Sequence, residues 1–156
     1  MLKVFFLTLL LISATLSSVP TGCVTIRNAN TQDYLKAGKT FDSDRRYVDG
    51  SYKQNWNIQK DGHHYTIRNL HVNEEMYASG RLFDLERRVV YTWVRENSVI
   101  EGEWDIIEDN KKFLIRNVHY DELLYAGISI YDGWIFTWRH KSPRITSQFL
   151  WIIESC

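Results

Sequence analysis

The chain reads as a succession of short apolar runs broken by polar punctuation. Tyr65-Thr66-Ile67, Val89-Val90-Tyr91-Thr92-Trp93 and Ile135-Phe136-Thr137-Trp138 are rich in β-branched and aromatic residues, and Asp-Gly, Asn and Ser clusters separate such runs. This is strand-and-turn patterning throughout, and no helix of useful length is expected. Lys60-Asp61-Gly62-His63 and Glu108-Asp109-Asn110-Lys111 each lie between two strand-like runs and read as tight hairpin turns. The N-terminus is different in kind. Lys3, the apolar run from Val4 to Ile12 and the small and polar residues up to Ser18 have the layout of a secretory signal peptide spanning 1–18, with cleavage tolerable as late as Gly22. That run is shorter than the roughly 20 residues needed to cross a bilayer, and no second one follows, so no membrane span is expected. Residues 19–156 are then expected to form a single domain.

Self-similarity organises that domain. Ile26-Arg27-Asn28, Ile67-Arg68-Asn69 and Ile115-Arg116-Asn117 are each followed nine residues after the Asn by an alanine, at Ala37, Ala78 and Ala126. An acidic residue and an aliphatic residue hold matching places in between, as in Asp33 and Leu35, Glu74 and Met76, Glu122 and Leu124. Past each alanine comes an aromatic followed by Asp, at Phe41-Asp42, Phe83-Asp84 and Tyr131-Asp132, and each copy ends at a tryptophan, Trp56, Trp104 or Trp151. The interval from the first Ile to that Trp is 30, 37 and 36 residues, so the first copy is shortened before its Trp. The repeats run over about 23–62, 63–111 and 112–156. One such unit alone would leave its apolar face and its sheet edges exposed, whereas three closing around a common axis would bury both. The expected fold is therefore all-β, a β-trefoil of three pseudo-symmetric four-stranded repeats, with the three terminal tryptophans plugging the core.

Two cysteines, Cys23 and Cys156, sit at the ends of the mature chain and are expected to pair, which fits a fold whose first and last strands are neighbours. Lys plus Arg and Asp plus Glu number 19 each. Without a basic excess there is little counterion release to drive nucleic-acid binding, and no nucleic-acid partner is expected. The doublets Arg45-Arg46 and Arg87-Arg88 recur in the same loop, where an anionic glycan could meet them, but Asp44 and Glu86 offset their charge and a solvated loop is the expected role. Gly133-Trp134 takes their place in the third copy and is expected to expose its indole. His71 and His119 share a repeat position, which suits a structural role better than a catalytic one, and His63-His64 lacks a third ligand, so no metal and no cofactor are expected. No nucleophile elbow, phosphate loop or zinc-protease motif occurs, and no enzyme activity is expected.

Gln54-Asn55-Trp56 resembles the Gln-x-Trp signature that ends each subdomain of ricin-B-type lectins, whereas Gly102-Glu103-Trp104 and Phe149-Leu150-Trp151 depart from it. The resemblance implies carbohydrate binding by an Asp after the second strand, an aromatic on the third, and polar side chains shortly before the terminal Trp. Carried over, it marks Asp84 with Trp93 in the second copy, Asp132 with Trp138 and Gln148 in the third, and Asp42 in the first, with Tyr52 as its nearest aromatic. An indole face stacks on a pyranose ring and a carboxylate accepts bonds from adjacent hydroxyls. The other reading of these residues stays open: an Asp in such a loop can bond its own backbone as a turn residue, and Trp93 and Trp138 can cap the barrel.

The leader, the small size, the six tryptophans, the terminal cysteines and the repeats also resemble the cysteine- and tryptophan-rich salivary proteins of Culex mosquitoes. That resemblance implies a carbohydrate-binding β-trefoil secreted into saliva; a monomer with a host glycan or glycoprotein as partner is expected. The alternative partner class is a host haemostatic or immune protein engaged by the trefoil loops.

Overall fold

The computed structural model describes residues 18–94, 99–127 and 133–156. The leader expected at 1–18 lies, apart from Ser18, outside the described residues, as does Asp132. The described residues form one twelve-stranded sheet. The strands are β1 (Gly22–Asn28), β2 (Tyr34–Thr40), β3 (Arg45–Ser51), β4 (Trp56–Asp61), β5 (His64–Asn69), β6 (Glu74–Leu82), β7 (Arg87–Trp93), β8 (Trp104–Asp109), β9 (Lys112–Asn117), β10 (Glu122–Ala126), β11 (Ile135–Trp138) and β12 (Trp151–Ser155). The described helical pieces are two single 3₁₀ turns, Ile100–Gly102 and Ser147–Phe149. An all-β chain is thus what the patterning implied.

Six strands close on themselves. β1 pairs with β12 and β4, β5 with β4 and β8, and β9 with β8 and β12, all antiparallel. Closure leaves this barrel no free edge. The remaining strands form three hairpins, β2–β3, β6–β7 and β10–β11, and β7 pairs with both β3 and β11. Between β11 and β3 the pairing dwindles to one bridge, Asp49 to Trp134. Both anticipated tight turns are present: Gly62 begins one at φ 62°, and Asn110 and Lys111 hold the other at 52° and 67°.

The barrel interior is filled by residues that recur along the sequence. Ile26, Ile67 and Ile115 are fully buried, and so are Leu35, Met76 and Leu124 on the hairpins. Trp56, Trp104 and Trp151 are buried completely, and each indole N–H donates to a backbone carbonyl at the same repeat position: Leu35 at 2.8 Å, Met76 at 3.1 Å and Leu124 at 3.2 Å. Each tryptophan therefore ties a barrel strand to a hairpin strand.

The Arg-Asn of each repeat motif builds the turn that follows it. Asn28, Asn69 and Asn117 are buried, and each Oδ1 accepts N–H groups two or three residues on: from Asn30 and Thr31, from His71 and Val72, and from Tyr120. The amides donate across the barrel mouth, and here the departures from Gln-x-Trp gain a physical account. In the first case the acceptor for Asn69 is the Gln54 side chain, at 2.8 Å; for Asn117 and Asn28 it is a carbonyl of a 3₁₀ turn, Glu101 at 2.7 Å and Gln148 at 2.9 Å. A backbone acceptor needs no Gln side chain. The turns close on Gln32, Asn73 and Asp121, all at φ between 55° and 65°, and the motif arginines Arg27, Arg68 and Arg116 each donate to that residue.

Cys23 and Cys156 form a disulfide with 5.4 Å between their Cα atoms, closing 133 residues of sequence, and the Cys156 N–H donates to the Cys23 carbonyl at 3.0 Å. In the chain-entropy picture such a cross-link removes freedom mainly from the unfolded chain. The Cys23→Ser, Cys156→Ser double variant is expected to lose about 2–5 kcal/mol of unfolding free energy with unchanged far-ultraviolet dichroism. Urea denaturation measures this, and an unshifted midpoint would refute it.

Candidate functional site

The hairpin loops between β2 and β3 and between β6 and β7 have the same construction. Asp42 Oδ1 accepts the Asp44 N–H at 3.0 Å while its Oδ2 takes Nε and Nη2 of Arg45. Asp84 Oδ1 accepts the N–H groups of Glu86 and Arg87 at 2.9 and 2.8 Å, and Oδ2 takes Arg87 Nε at 2.8 Å and Nη2 at 2.6 Å. A carboxylate offers about four acceptor directions. Those of Asp84 are all used within its own loop, so the turn role, rather than that of a free acceptor for sugar hydroxyls, is what this geometry provides. The side-chain bonds from Arg45 and Arg87 hold both carboxyls below the ordinary aspartate value. Each guanidinium also covers an aromatic pair: Arg45 lies over Phe41 and Tyr91, Arg87 over Phe83 and Phe136.

The sequence pairs Asp84 with Trp93; the structure crosses the copies. Arg45 stands opposite Trp93 in the β3–β7 register, and Asp42 and Trp93 line one cavity of about 620 Å³. Arg87 stands opposite Trp138 in the β7–β11 register, so Trp138 shares Arg87 with Asp84. Trp93 is half-buried against Tyr77 at a ring separation of 5.3 Å, and Trp138 packs on Tyr125 at 5.1 Å. Gln148 contributes its backbone carbonyl to Asn28, while its side chain meets the Thr146 hydroxyl at 3.4 Å. Tyr52 is 63% exposed with the Lys36 ammonium 4.5 Å from its ring centre.

The second arginine of each doublet reaches a carboxylate of the next copy. Arg88 binds Glu122 through Nε at 2.9 Å and Nη2 at 3.1 Å, with Thr137 donating to the same carboxylate at 2.6 Å. Arg46 binds Glu74 at 3.1 Å, and Thr92 donates to Glu74 at 2.6 Å. Glu74, Glu122, Thr92 and Thr137 are all buried. These doublets are therefore mostly consumed by internal ion pairs and present no patch for an anionic ligand. Both halves of each triad stand in the sequence as repeated features, an acidic residue five positions after the motif Asn and a repeated Arg-Arg, but only the register shows that they meet across copies.

At the third junction every member of the triad is replaced. Asp33 stands for the glutamate, Gly50 for the threonine and Gly133 for the arginine. Gly133, at φ 59°, lies against the neighbouring strand, its carbonyl accepting the Gly50 N–H at 2.6 Å; a Cβ there would come within 2.4 Å of the Gly50 carbonyl oxygen. Of Gly133 and Trp134, only Gly133 falls at the place of a doublet arginine. Trp134 falls at the place of Tyr47 and Val89 and is half-buried, not the exposed indole expected. Beside this junction β11 and β3 bound a groove of about 810 Å³. Phe41, Tyr47, Trp134 and Phe136 supply aromatic walls, and Lys36, Lys39, Thr40, Asp49 and Ser51 polar groups. Tyr47 and Trp134 lie 5.9 Å apart, and Lys36 pairs with Asp49 at 3.7 Å.

The chain is thus a small, disulfide-closed all-β barrel whose surface chemistry is aromatic and polar. Among the described residues no three His, Cys, Asp or Glu side chains gather as a metal-holding group, and no helix is long and apolar enough to cross a membrane. No protein-family model matches the chain, and no curated protein does. Solved structures do. A salivary protein of the cysteine- and tryptophan-rich family from Culex quinquefasciatus shares 29% identity at a TM-score of 0.79, over 89% of this chain and 96% of that one. A second salivary protein of that mosquito and family shares 26% at a TM-score of 0.74, with the same coverage. A designed three-fold symmetric protein, ThreeFoil, matches at 0.71 with 13% identity over 86% of this chain and 99% of its own, a likeness of fold alone.

Removing one partner of a buried ion pair strands the other charge. Arg88→Ala is expected to cost about 3–5 kcal/mol. Arg46→Ala should cost less, because the Arg46 side chain is 35% exposed against 10% for Arg88. Chemical denaturation of both variants tests this, and the reverse order would refute it. The depressed Asp84 carboxyl gives a pH signature. Its stabilising contribution is present above the unfolded aspartate value of about 4 and is lost as pH falls through the lower folded value. The thermal midpoints of wild type and Asp84→Asn should therefore differ at pH 6 and converge in acid; a gap that widens in acid would contradict it.

Proposed function

We propose that this chain is a secreted, salivary β-trefoil of three four-stranded repeats that binds carbohydrate and catalyses no reaction, with its principal site in the groove between β11 and β3. The observation that carries the reading is the composition of that groove. Aromatic faces that can stack on the apolar face of a sugar ring stand beside hydroxyl, ammonium and carboxylate groups that match its hydroxyls. Secretion is supported by the signal-peptide layout, by the terminal disulfide and by the similarity to two salivary proteins over nearly their whole length. The threefold recurrence of the Trp-to-carbonyl bond, the Asn turn and the barrel pairing supports the trefoil reading. The resemblance to ricin-B lectins enters through Gln54-Asn55-Trp56 and extends to glycan binding as a class. Trp93 and Trp138 serve in this reading as secondary stacking faces, each beside the Asp-Arg loop of the preceding copy.

A glycan array with the disulfide-intact protein, run beside Trp134→Ala and a Trp93→Ala, Trp138→Ala double variant, tests the assignment. Wild type should bind, and the double variant should retain most of the signal. Trp134→Ala should lose about tenfold in affinity or more, corresponding to roughly 1.4 kcal/mol of stacking and burial. A blank array, or binding indifferent to Trp134 in a variant with a native melting curve, would overturn it.

A further inference from the structure

The segment between β11 and the last 3₁₀ turn has no part in either the barrel or the groove. It reads Arg139-His140-Lys141-Ser142-Pro143-Arg144-Ile145-Thr146. Lys141, Ser142, Arg144, Ile145 and Thr146 are exposed, and Pro143 is half-buried. Among the described residues no backbone N–H or carbonyl from His140 to Ile145 takes part in a backbone hydrogen bond, and from Pro143 to Thr146 the chain has no turn or bend. Arg144 and Lys141 make no ion pair among the described residues.

Both ends of this segment are fastened. On one side the Arg139 N–H donates to the Glu86 carbonyl at 2.8 Å and its guanidinium to the Leu85 carbonyl at 2.7 Å, and His140 meets Glu86 at 3.5 Å. On the other, the Ser147 hydroxyl donates to Asn30 at 2.9 Å, and Phe149 is buried against Tyr125. Exposed, unpaired backbone between two fixed points is what strand addition to a partner's sheet edge requires. An arginine that makes no ion pair among the described residues fits a pocket floored by a carboxylate, and the preceding proline, its φ fixed near −65°, reduces the ordering cost of an extended backbone.

We infer that Pro143-Arg144-Ile145 is a docking site for a serine protease of trypsin-like specificity, which takes Arg144 into its acidic pocket, Pro143 into an adjoining apolar subsite, and the Arg144–Ile145 bond into its active site. The enzyme's serine adds to the Arg144 carbonyl and the Ile145 nitrogen leaves with a proton. Water then releases the acyl group, so one water is consumed and the new ends are a carboxylate and an ammonium. The cut product stays whole, because residues 145–156 remain paired with β1 through β12 and joined to Cys23 by the disulfide. This inference is independent of the glycan reading.

The experiment treats the disulfide-intact protein with trypsin and, separately, thrombin, which adds a strong preference for proline before the arginine. It reads masses before and after reduction and measures competition with a chromogenic arginyl amide. The first cut is expected after Arg144, as a gain of one water before reduction, with the 145–156 segment released only afterwards. Arg144→Ala should slow that cut and weaken competition by tenfold or more, Arg144→Lys should restore the trypsin reaction, and Pro143→Ala should impair thrombin more than trypsin. Both positions face solvent at least in part, so native melting curves are expected. A first cut at Lys53, Arg139 or Lys141, or competition unchanged in Arg144→Ala, would overturn the inference.

Discussion

Each terminal indole is too large to bury cheaply and carries an N–H that cannot be left without an acceptor. The fold meets both demands with one arrangement used three times. Trp56, Trp104 and Trp151 fill the barrel and donate to the carbonyls of Leu35, Met76 and Leu124. Because those carbonyls sit on the hairpins, the bond fixes where each hairpin lies under the barrel, and with it the position of every loop that could meet a ligand. The flanking isoleucines on β1, β5 and β9 and the Asn turns then follow as the packing and hydrogen-bond accounting around three fixed plugs.

Threefold repetition makes the junctions equivalent in principle, and function needs one that is not. Two are closed by an arginine bound to a buried glutamate and threonine, with Arg88 buried and Arg46 partly exposed. The third carries Asp33, Gly50 and Gly133, which form no such triad; there the Gly50 N–H donates to the Gly133 carbonyl and Tyr47 packs beside Trp134. The groove lies beside that contact, lined by Tyr47, Asp49 and Ser51, which alternate with Gly50 along β3, and by Trp134 and Phe136. The cost is met elsewhere, by two intact junctions and by a disulfide that closes the barrel strands β1 and β12.

How far the sequence revealed this depends on the range of the interaction concerned. The Ile-Arg-Asn motif, the tryptophans and the cysteines act at fixed repeat positions or at the chain ends, so the all-β class and the Cys23–Cys156 pairing were legible. The Asp-Arg loops were half legible: their acidic residue was recognised, together with its possible turn role, but the arginine three positions later that occupies it was not. What stayed hidden depends on register across copies. Trp93 lies beside Asp42 rather than within reach of a free Asp84, and the Arg-Arg doublets divide, one arginine to its own loop and the other to the next copy. The alignment of Gly133-Trp134 with those doublets was off by one residue. In a strand such a shift exchanges the two faces, which is why the indole expected in solvent lines the groove instead.

The same reasoning separates where the molecule is fixed from where it can meet something else. Residues serving the threefold plan spend their polar atoms internally: the motif Asn amides, the loop aspartates, the arginines of both doublets. Surface chemistry is left to positions that the plan does not repeat, namely the third junction and the stretch from Lys141 to Ile145. Both arise where one copy departs from the other two, and both are held at their edges by elements that do not. A scaffold of this kind can change its surface by altering one copy while the other two keep the barrel closed, and both proposed sites lie at such departures from the repeat.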